Sequence, residues 1–585
     1  MIKRISLSLC SFAAIAYILY HFCNLNSALL FFVYVVTCAG IVAIYNQSKE
    51  ELKLENINIP TILLAALFSV ATITGLYFGC GEPFEDFTLG TVFVYLFLII
   101  FIFPLVYVLV FKLYAFVDSK SYPTMCNRSS RDVLVWLVVM LIIFAAWIPV
   151  WLAYYPGLWN YDPNQVKEWL YNHFSQFHPL IHTLFLSACY VIGTDEIGSN
   201  KGVIIYDVIQ MLVMSSIFSY AFVYVKNHIK NKVFLVIMLL FFAFFPVNSI
   251  LAISSTKDVI FSGLVLLNLI LSLRLLEEKE KKRKILLIII FPFTMTLMML
   301  FRNNAKYAFL LVLLVAIILV IIKRIKARVV IYLAICMLMF VIGDKTLAFA
   351  LDADSGRIQE TMSIPSQQMG RIHSKPLVAA QDEESRKEIE YYYAPYASYN
   401  EKISDGMKDY LVLNGKEDVI GFLKLSAKLF FKYPIISLDS YLYLTQGAWN
   451  IGDVSNAIVY GKGLDNRQGY LLTDVKEGYG ITHSSKMPWL ENILERAFSD
   501  NEYQNWPLIS VLFAPALYVW IFLFVVFGLI KKKSVKYTLP VSFMLFLLLT
   551  ILAGPCIVIR YVYPFVVTSF VFIAMLVGED SKDLV

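Results

Sequence analysis

One loop of the sequence combines a carboxylate with aromatic and polar neighbours. It reads YYPGLWNYDPNQ, with Tyr161 before Asp162 and Gln165 three residues after it. A carboxylate in this setting can take a proton from a hydroxyl group or bind a metal ion, and tyrosine and glutamine can contact a substrate. The alternative is structural, since aspartate often closes a turn through its own side chain. The residue types leave both interpretations open.

Two histidines follow at the spacing of one helical turn. His178 and His182 lie in the stretch HPLIH. Imidazoles four residues apart can share a metal ion or contact one phosphate group, and they can also simply pack at a membrane interface. The sequence therefore predicts no certain cofactor and leaves a divalent metal ion as an alternative.

Cations occur in three short motifs that flank apolar segments. Lys257 and Asp258 lie in SSTKDVIF, Arg302 and Asn303 in LFRNNAKY, and Arg560 in VIRYVYPF. Guanidinium groups suit phosphate oxygens, and amides suit sugar hydroxyls. The structural alternatives are a local ion pair between Lys257 and Asp258 and cations that anchor helices at a membrane rim. Several such cations facing one side favour an anionic lipid head group.

The composition identifies the elements that must position these residues. Of 585 residues, 59% are apolar and 16% are charged, against about 45–50% and about 25% in soluble domains. An ordinary soluble enzyme is excluded. The net charge of +6 comes from short basic runs between apolar segments, which argues against a nucleic-acid partner. We predict an all-α polytopic membrane protein.

The basic runs also limit how many apolar segments cross the membrane. The sequence has fifteen candidate segments, and if all of them crossed, the basic loops after residue 225 would lie outside, against the positive-inside rule. The segment 178–193 is short and contains two histidines and a proline, so we predict that it is an interfacial or re-entrant helix. Two later segments, 233–248 and 507–530, are each expected to form one membrane helix.

With about fourteen crossings, the two sides of the protein differ in chemistry. Both termini and the basic loops become cytoplasmic, whereas Asp162, Lys257, Arg302 and Arg560 become extracytoplasmic. The predicted parts are N-terminal membrane helices (1–131), a membrane core (132–343) with a first large outer loop (153–202), a mainly helical extracytoplasmic domain (344–506), and C-terminal membrane helices with a cytoplasmic tail (507–585). The segment 344–506 has 23 acidic and 17 basic residues, a net charge of −6 that leaves +12 on the rest of the chain.

Together these motifs resemble those of the GT-C superfamily of multi-span glycosyltransferases. The similar pieces are YPGLWNYDPNQ, HPLIH, STKD, FRNNA and RYVYP. With SIPSQQMGRI (363–372) and FFKYP (430–434), the chain is closer still to a bacterial group of GT-C-like membrane proteins whose members mostly lack an assigned substrate. The resemblance covers most of residues 132–577.

The resemblance implies a reaction and a set of roles. Such enzymes move a sugar from a polyprenyl-phosphate-linked donor to a cell-envelope glycan, lipid or protein acceptor, at the extracytoplasmic face and in contact with membrane lipids. Asp162 would be the catalytic base or would orient the acceptor, and Lys257, Arg302 and Arg560 would hold the donor phosphate. Substrate contacts are expected from Tyr161, Gln165, His178, His182, Asp258 and Asn303.

One departure concerns metal binding. Many relatives have an acidic pair in the first outer loop, but here Pro163 follows Asp162 and the next acid is Glu168. The resemblance therefore does not settle whether a metal ion is bound.

Three other functions compete with a transferase. A polysaccharide polymerase or ligase would use a similar outer site, a transporter or lipid-linked glycan flippase would move the substrate across, and an envelope scaffold would depend on 344–506 alone. Transporters usually place charges at the membrane midplane between two related halves. The charged motifs here lie at one rim, so the sequence favours the transferase.

Overall fold

The described part of the chain folds into a bundle of helices. The computed structural model describes residues 2–22, 27–46, 58–119, 131–158, 165–193, 200–454 and 482–578. In this part of the chain the regular elements are helices, and extended pairing is limited to isolated bridges. The predicted all-α class is confirmed for these residues.

The elements follow the apolar segments of the sequence. The N-terminal part contains α1 (Ile2–Phe22), α2 (Ser27–Asn46), α3 (Ile59–Gly79), α4 (Leu89–Ser119), α5 (Asp132–Ala153), α6 (Val166–Leu170) and α7 (Leu180–Gly193). The central part contains α8 (Asn200–His228), α9 (Lys232–Phe244), α10 (Pro246–Ala252), α11 (Lys257–Glu277), α12 (Lys281–Phe301), α13 (Asn303–Ile321) and α14 (Ala327–Ala350).

Shorter helices follow before the C-terminal group. They are α15 (Ser363–Ser374), α16 (Pro376–Gln381), α17 (Glu383–Glu390), α18 (Asp405–Lys408), α19 (Lys416–Lys432), α20 (Pro434–Trp449) and α21 (Pro488–Leu494). The C-terminal group is α22 (Pro515–Lys531), α23 (Thr538–Leu552) and α24 (Ile559–Val577).

Many of these helices are suited to a bilayer. Among the described residues, nine helices are long and apolar enough to cross a membrane, and α9 and α10 pass the same test as a pair that is bent by 43°. The chain is therefore a polytopic membrane protein. The helix α7 has 14 residues, about 21 Å by its rise, which is shorter than the hydrocarbon core of about 30 Å. The interfacial or re-entrant position of this segment stays a prediction, because α23, with 15 residues, is nearly as short.

Prolines explain two differences from the expected helices. The sequence predicts one helix over 233–248, but the segment breaks at Phe245, which is extended before Pro246 because a proline disfavours helical geometry in the residue before it. The segment 507–530 becomes a helix only from Pro515, which occupies the first turn of α22. In addition, α14 continues to Ala350, beyond the predicted domain boundary at 344.

The region after α14 has a small core of its own. Met369, Ile372, Phe422 and Leu429 are buried together, apart from the large core of the membrane helices. The SIPSQQMGRI motif forms α15 at the centre of this region. Its glutamine Gln368 bonds to the main chain at Ser426 over 3.0 Å, so the motif stabilises the packing of α15 against α19.

A buried ion pair connects this region to the membrane helices. Arg371 of α15 has 1% of its side chain exposed and donates to Glu85, in the α3–α4 loop, at 2.8 Å. Lys375 contacts the same Glu85 oxygen. Asp439 accepts the Glu85 backbone N–H at 2.8 Å, and burial, reinforced by the Glu85 charge, raises the pKa of Asp439 to about 6. The α3–α4 loop is therefore fixed by charge pairs and not by apolar packing alone.

We expect Glu85→Gln to destabilise the contact between α15 and the α3–α4 loop. Removing one partner leaves the buried Arg371 without its main carboxylate, which costs about 3–5 kcal/mol in comparable buried pairs. The melting temperature of the detergent-purified protein should fall. Glu383→Gln is the matched control, because its pair with Lys387 is 77% and 70% exposed and should contribute little. Equal melting temperatures for both variants would contradict a stabilising role for Glu85.

A candidate anion site where helix ends meet

The predicted cations lie where four helices begin or end. Thr256 caps α11 by accepting the Asp258 N–H, so that Lys257 and Asp258 occupy its first turn. Arg302 is the single extended residue between α12 and α13. Arg560 lies in the first turn of α24. The helix ends thus bring together motifs that are distant in sequence.

Asp258 is the centre of this arrangement. It is 1% exposed, and its two carboxylate oxygens meet different arginines. Arg302 donates to Oδ1 through Nη1, and Arg560 approaches Oδ2 through Nε at 3.3 Å. Asp258 therefore serves two arginines that come from other parts of the chain. One negative charge lies between two positive ones.

An aromatic ring orders both guanidinium groups. The Cζ atoms of Arg302 and Arg560 lie 4.7 Å and 4.9 Å from the centroid of the Tyr561 ring. Phe261 offers a second ring to Arg302 at 5.5 Å. Such cation–π contacts are strongest where water is excluded. The two guanidinium planes are therefore held in place. Each guanidinium carries five N–H groups, so its contact with Asp258 does not use all of them.

Lys257 and His178 form the next part of the site. The Lys257 ammonium lies 3.1 Å from Nδ1 of His178, so this nitrogen acts as the acceptor. His178 ends a loop that Asn303 holds by donating to the Gln176 carbonyl at 3.3 Å. The same loop pairs at Gln176 with Asp354 through a 2.8 Å backbone bond. The loop before α7 therefore forms one wall beside the cations.

His182 takes part in a separate chain of buried hydrogen bonds. Gln210 donates to three carbonyls of the 251–254 segment at 2.8–3.3 Å, so its oxygen accepts the Tyr206 hydroxyl at 3.1 Å. Tyr206 in turn lies 3.0 Å from Nε2 of His182. Nδ1 of His182 faces Gln165 at 3.4 Å. This chain fixes the ring of His182 and connects Gln165 to the segment that leads into α11.

The loop with Asp162 is attached to the same walls at both ends. Tyr161 and Asp162 lie outside the described residues. Before them, Leu158 pairs with the 253–255 segment through backbone bonds of 2.8 and 3.0 Å. After them, Gln165 accepts the Thr183 hydroxyl at 2.9 Å.

Asp207 is a buried acid near the candidate site that the sequence reasoning did not single out. It is fully buried in α8, and its nearest polar neighbour among the described side chains is Trp151. It lies against Gly157, just before the Asp162 loop. The available signal was an acid within an apolar segment, which in membrane helices usually marks function.

The two predicted histidines do not share a ligand position. His178 faces Lys257, whereas His182 faces Tyr206. Within the described ranges no three His, Cys, Asp or Glu side chains are grouped as a metal site would need. The metal alternative therefore concerns only sites that include residues outside those ranges.

Among the described glycines, Gly157 is the one where an added Cβ atom would come closest to another atom, Oδ2 of Asp207, and its φ is +151°. We expect Gly157→Ala to destabilise the protein by about 2–6 kcal/mol, the sum of backbone strain and overpacking. The free energy of unfolding of the purified protein measures this.

Two further variants separate strain from collision. Gly415→Ala has a φ of +105° but open space around the new Cβ, so it should show the strain alone. Asp207→Ala combined with Gly157→Ala should recover part of the lost stability, because the colliding carboxylate is removed. No recovery in the double variant would contradict the collision with Asp207 as the cause.

Comparison with known proteins assigns the chain to a family without assigning an activity. No curated protein and no solved structure matched it. The family described as "family of unknown function (DUF6020)" matches residues 170–584, a range that contains Lys257, Asp258, Arg302 and Arg560. Because this range is more than half of the chain, the protein belongs to that family.

Proposed function

We propose that the protein is a membrane glycosyltransferase. It would transfer a sugar from a polyprenyl-phosphate-linked donor to a cell-envelope glycan, lipid or protein acceptor. The observation that carries the proposal is the meeting of Arg302 and Arg560 at one buried carboxylate, Asp258, with Lys257 of the same helical turn beside His178. Arginine and lysine side chains gathered at one place are the residue types that bind phosphate oxygens.

The charge of the cluster fits the charge that develops in such a transfer. A sugar-linked polyprenyl phosphate is a phosphodiester with one negative charge. When the bond between the anomeric carbon and the phosphate oxygen breaks, the electron pair stays on that oxygen and the leaving phosphate gains a second charge. Fixed cations stabilise the transition state more than the bound donor, which is the requirement for catalysis.

Asp162 would act as the base in the same step. The acceptor hydroxyl would form the new bond to the anomeric carbon and lose its proton to the Asp162 carboxylate. The supporting observation is that both flanks of its loop, Leu158 and Gln165, bind walls of the cation site. Asp207 lies against the first flank and is a candidate for a second carboxylate near the acceptor.

The orientation in the membrane is part of the proposal. Counting α1, α2, α22 and α23 with the nine long helices and the bent pair gives fourteen crossings, with α7 left at the interface. The cation site and residues 351–506 would then be extracytoplasmic, and both termini would be cytoplasmic.

Asp162→Asn should abolish sugar transfer while the protein stays folded. Amide nitrogen cannot accept the proton, and loss of a general base typically lowers rates by about 10²–10⁴-fold. The assay follows radiolabelled sugar from a panel of polyprenyl-phosphate sugars into membrane acceptors. Asp352→Asn, an exposed acid just after α14, is the matched control and should keep full activity. Unchanged transfer by Asp162→Asn would rule out the base assignment.

Lys257→Ala should weaken the use of the donor. Loss of one charged contact to phosphate is worth about 1.5–3 kcal/mol, which lowers kcat/KM for the donor about 10- to 100-fold. The variant leaves the pairs of Asp258 with both arginines in place, so its fold should be unaffected. Lys345→Ala, an exposed lysine of α14, is the control.

Arg302→Ala tests the same site by a second residue. It should lower kcat/KM for the donor to a similar degree. It should also reduce stability, because the buried Asp258 then loses one of its two arginine partners and keeps Arg560. Normal donor dependence in both Lys257→Ala and Arg302→Ala would contradict the assignment of these residues to the donor phosphate.

Two measurements separate the rival functions. Counting the sugars added per event by mass spectrometry separates a transferase from a polymerase or ligase. Movement of the donor across vesicle membranes without sugar transfer would indicate a flippase.

A further inference from the structure

A deep cavity opens at the helix ends farthest from Asp258. It has a volume of about 1350 Å³ and lies between α11, α12, α13, α14 and α23. Pockets for small molecules are usually roughly 300–1,000 Å³. The cavity is therefore large enough for a ligand with a long chain.

The walls of the cavity are apolar over most of its length. Along α11 it extends from Val265 to the region of Lys279, and along α12 from Met295 to Lys281. Fourteen residues of helix correspond to about 21 Å, whereas one leaflet contributes about half of the hydrocarbon core of about 30 Å. The groove has the length of an acyl chain together with its head-group region.

Basic residues from separate loops surround the mouth of the groove. The α11–α12 connection contributes Lys279, Lys281 and Lys284, and the α13–α14 connection contributes Arg324 and Arg328. These two loops come from different helix pairs, so the cations converge through the fold and not through one sequence run.

The loop between α22 and α23 adds four more lysines. They are Lys531, Lys532, Lys533 and Lys536. Asp118 contacts the first two at 3.0 and 3.5 Å. Among the described residues that line the cavity, none is Asp or Glu. Nine cations thus border one apolar groove, and the acids beside them (Asp118, Glu277, Glu278 and Glu280) lie outside its lining.

The positive-inside rule alone does not explain this concentration. The same end of the bundle carries other basic residues, such as Lys230, Lys232, Lys323 and Lys326, which do not line the cavity. Like charges gathered at one opening repel each other, and an anion at that opening relieves the repulsion. Basic pockets between membrane helices are typical sites for anionic head groups.

We propose that this groove binds an anionic phospholipid of the adjacent leaflet. The phosphate head group contacts the basic mouth, and one acyl chain lies between α11, α12 and α13. The assignment is independent of the transferase function, because it concerns the opposite end of the helices.

The test is native mass spectrometry of the full-length detergent-purified protein with added phosphatidylglycerol or phosphatidylcholine. We expect stronger binding of phosphatidylglycerol. The combined variant Lys281→Gln, Arg324→Gln, Arg328→Gln and Lys533→Gln should weaken that binding by roughly tenfold or more. The matched control replaces Lys230, Lys232, Lys323 and Lys326 by Gln, which removes as many charges from the same end. These lysines do not line the groove, so the control should change binding by less than about twofold.

A second variant tests the groove itself. Ile288→Trp places a large ring on the apolar wall without changing any charge, and it should displace the lipid while the melting temperature of the lipid-free protein stays near that of the unmodified protein. Equal weakening by both charge variants would mean diffuse surface attraction and would overturn the proposal. Equal binding of the two lipids would overturn it as well. The proposal would also be overturned if soluble glycerol phosphate displaced bound phosphatidylglycerol as effectively as added phosphatidylglycerol does.

Discussion

The buried carboxylate of Asp258 is the constraint on which one end of the helical bundle depends. An ionised carboxylate that has lost its water must be matched by opposite charge, because the desolvation penalty is several kcal/mol per ion. Asp258 begins α11, Arg302 separates α12 from α13, and Arg560 begins α24. Satisfying this one group therefore fixes where four helix ends meet. The segment before α11 then serves as a backbone partner for Leu158 and for Gln210.

The same constraint gathers basic groups at one place. Two arginines from different helices meet the Asp258 carboxylate, and Lys257, in the same helical turn as Asp258, lies beside His178. The ring of Tyr561 orders both guanidinium groups. Under the proposed function, this order would reduce the entropy lost when the donor phosphate binds.

Much of the fold could be predicted from the sequence, because a membrane helix needs about 20 consecutive apolar residues and such runs are visible without a structure. The predictions failed where proline acts locally, at Pro246 and Pro515, since hydropathy averages over such positions. The sequence also identified Lys257, Asp258, Arg302 and Arg560 one by one. Their mutual pairing could not be predicted, because it depends on long-range packing that no spacing along the chain records.

Asp207 shows a different reason for a missed residue. Its helix was recognised as a membrane segment, and its polarity was overlooked because the average hydropathy remained high. The information was present in the sequence as an acid within an apolar helix. What the structure adds is the neighbour: Gly157, whose missing side chain leaves room for the carboxylate. A glycine before the Asp162 loop and an acid in α8 are one feature, although they are separated in sequence.

The two charged ends of α11 have to be separate sites. Its 21 residues give about 32 Å between Asp258 and the basic mouth at Lys279, close to the full hydrocarbon thickness of about 30 Å. One phosphate cannot contact both ends, and a lipid whose head group lies at one end belongs to one leaflet. The two ends also differ in construction. At the Asp258 end, the cations are mostly buried, paired and ordered by aromatic rings, as a reaction site requires. At the other end, Lys281, Arg328 and Lys533 are exposed around an apolar groove, which suits a lipid that is held and not transformed.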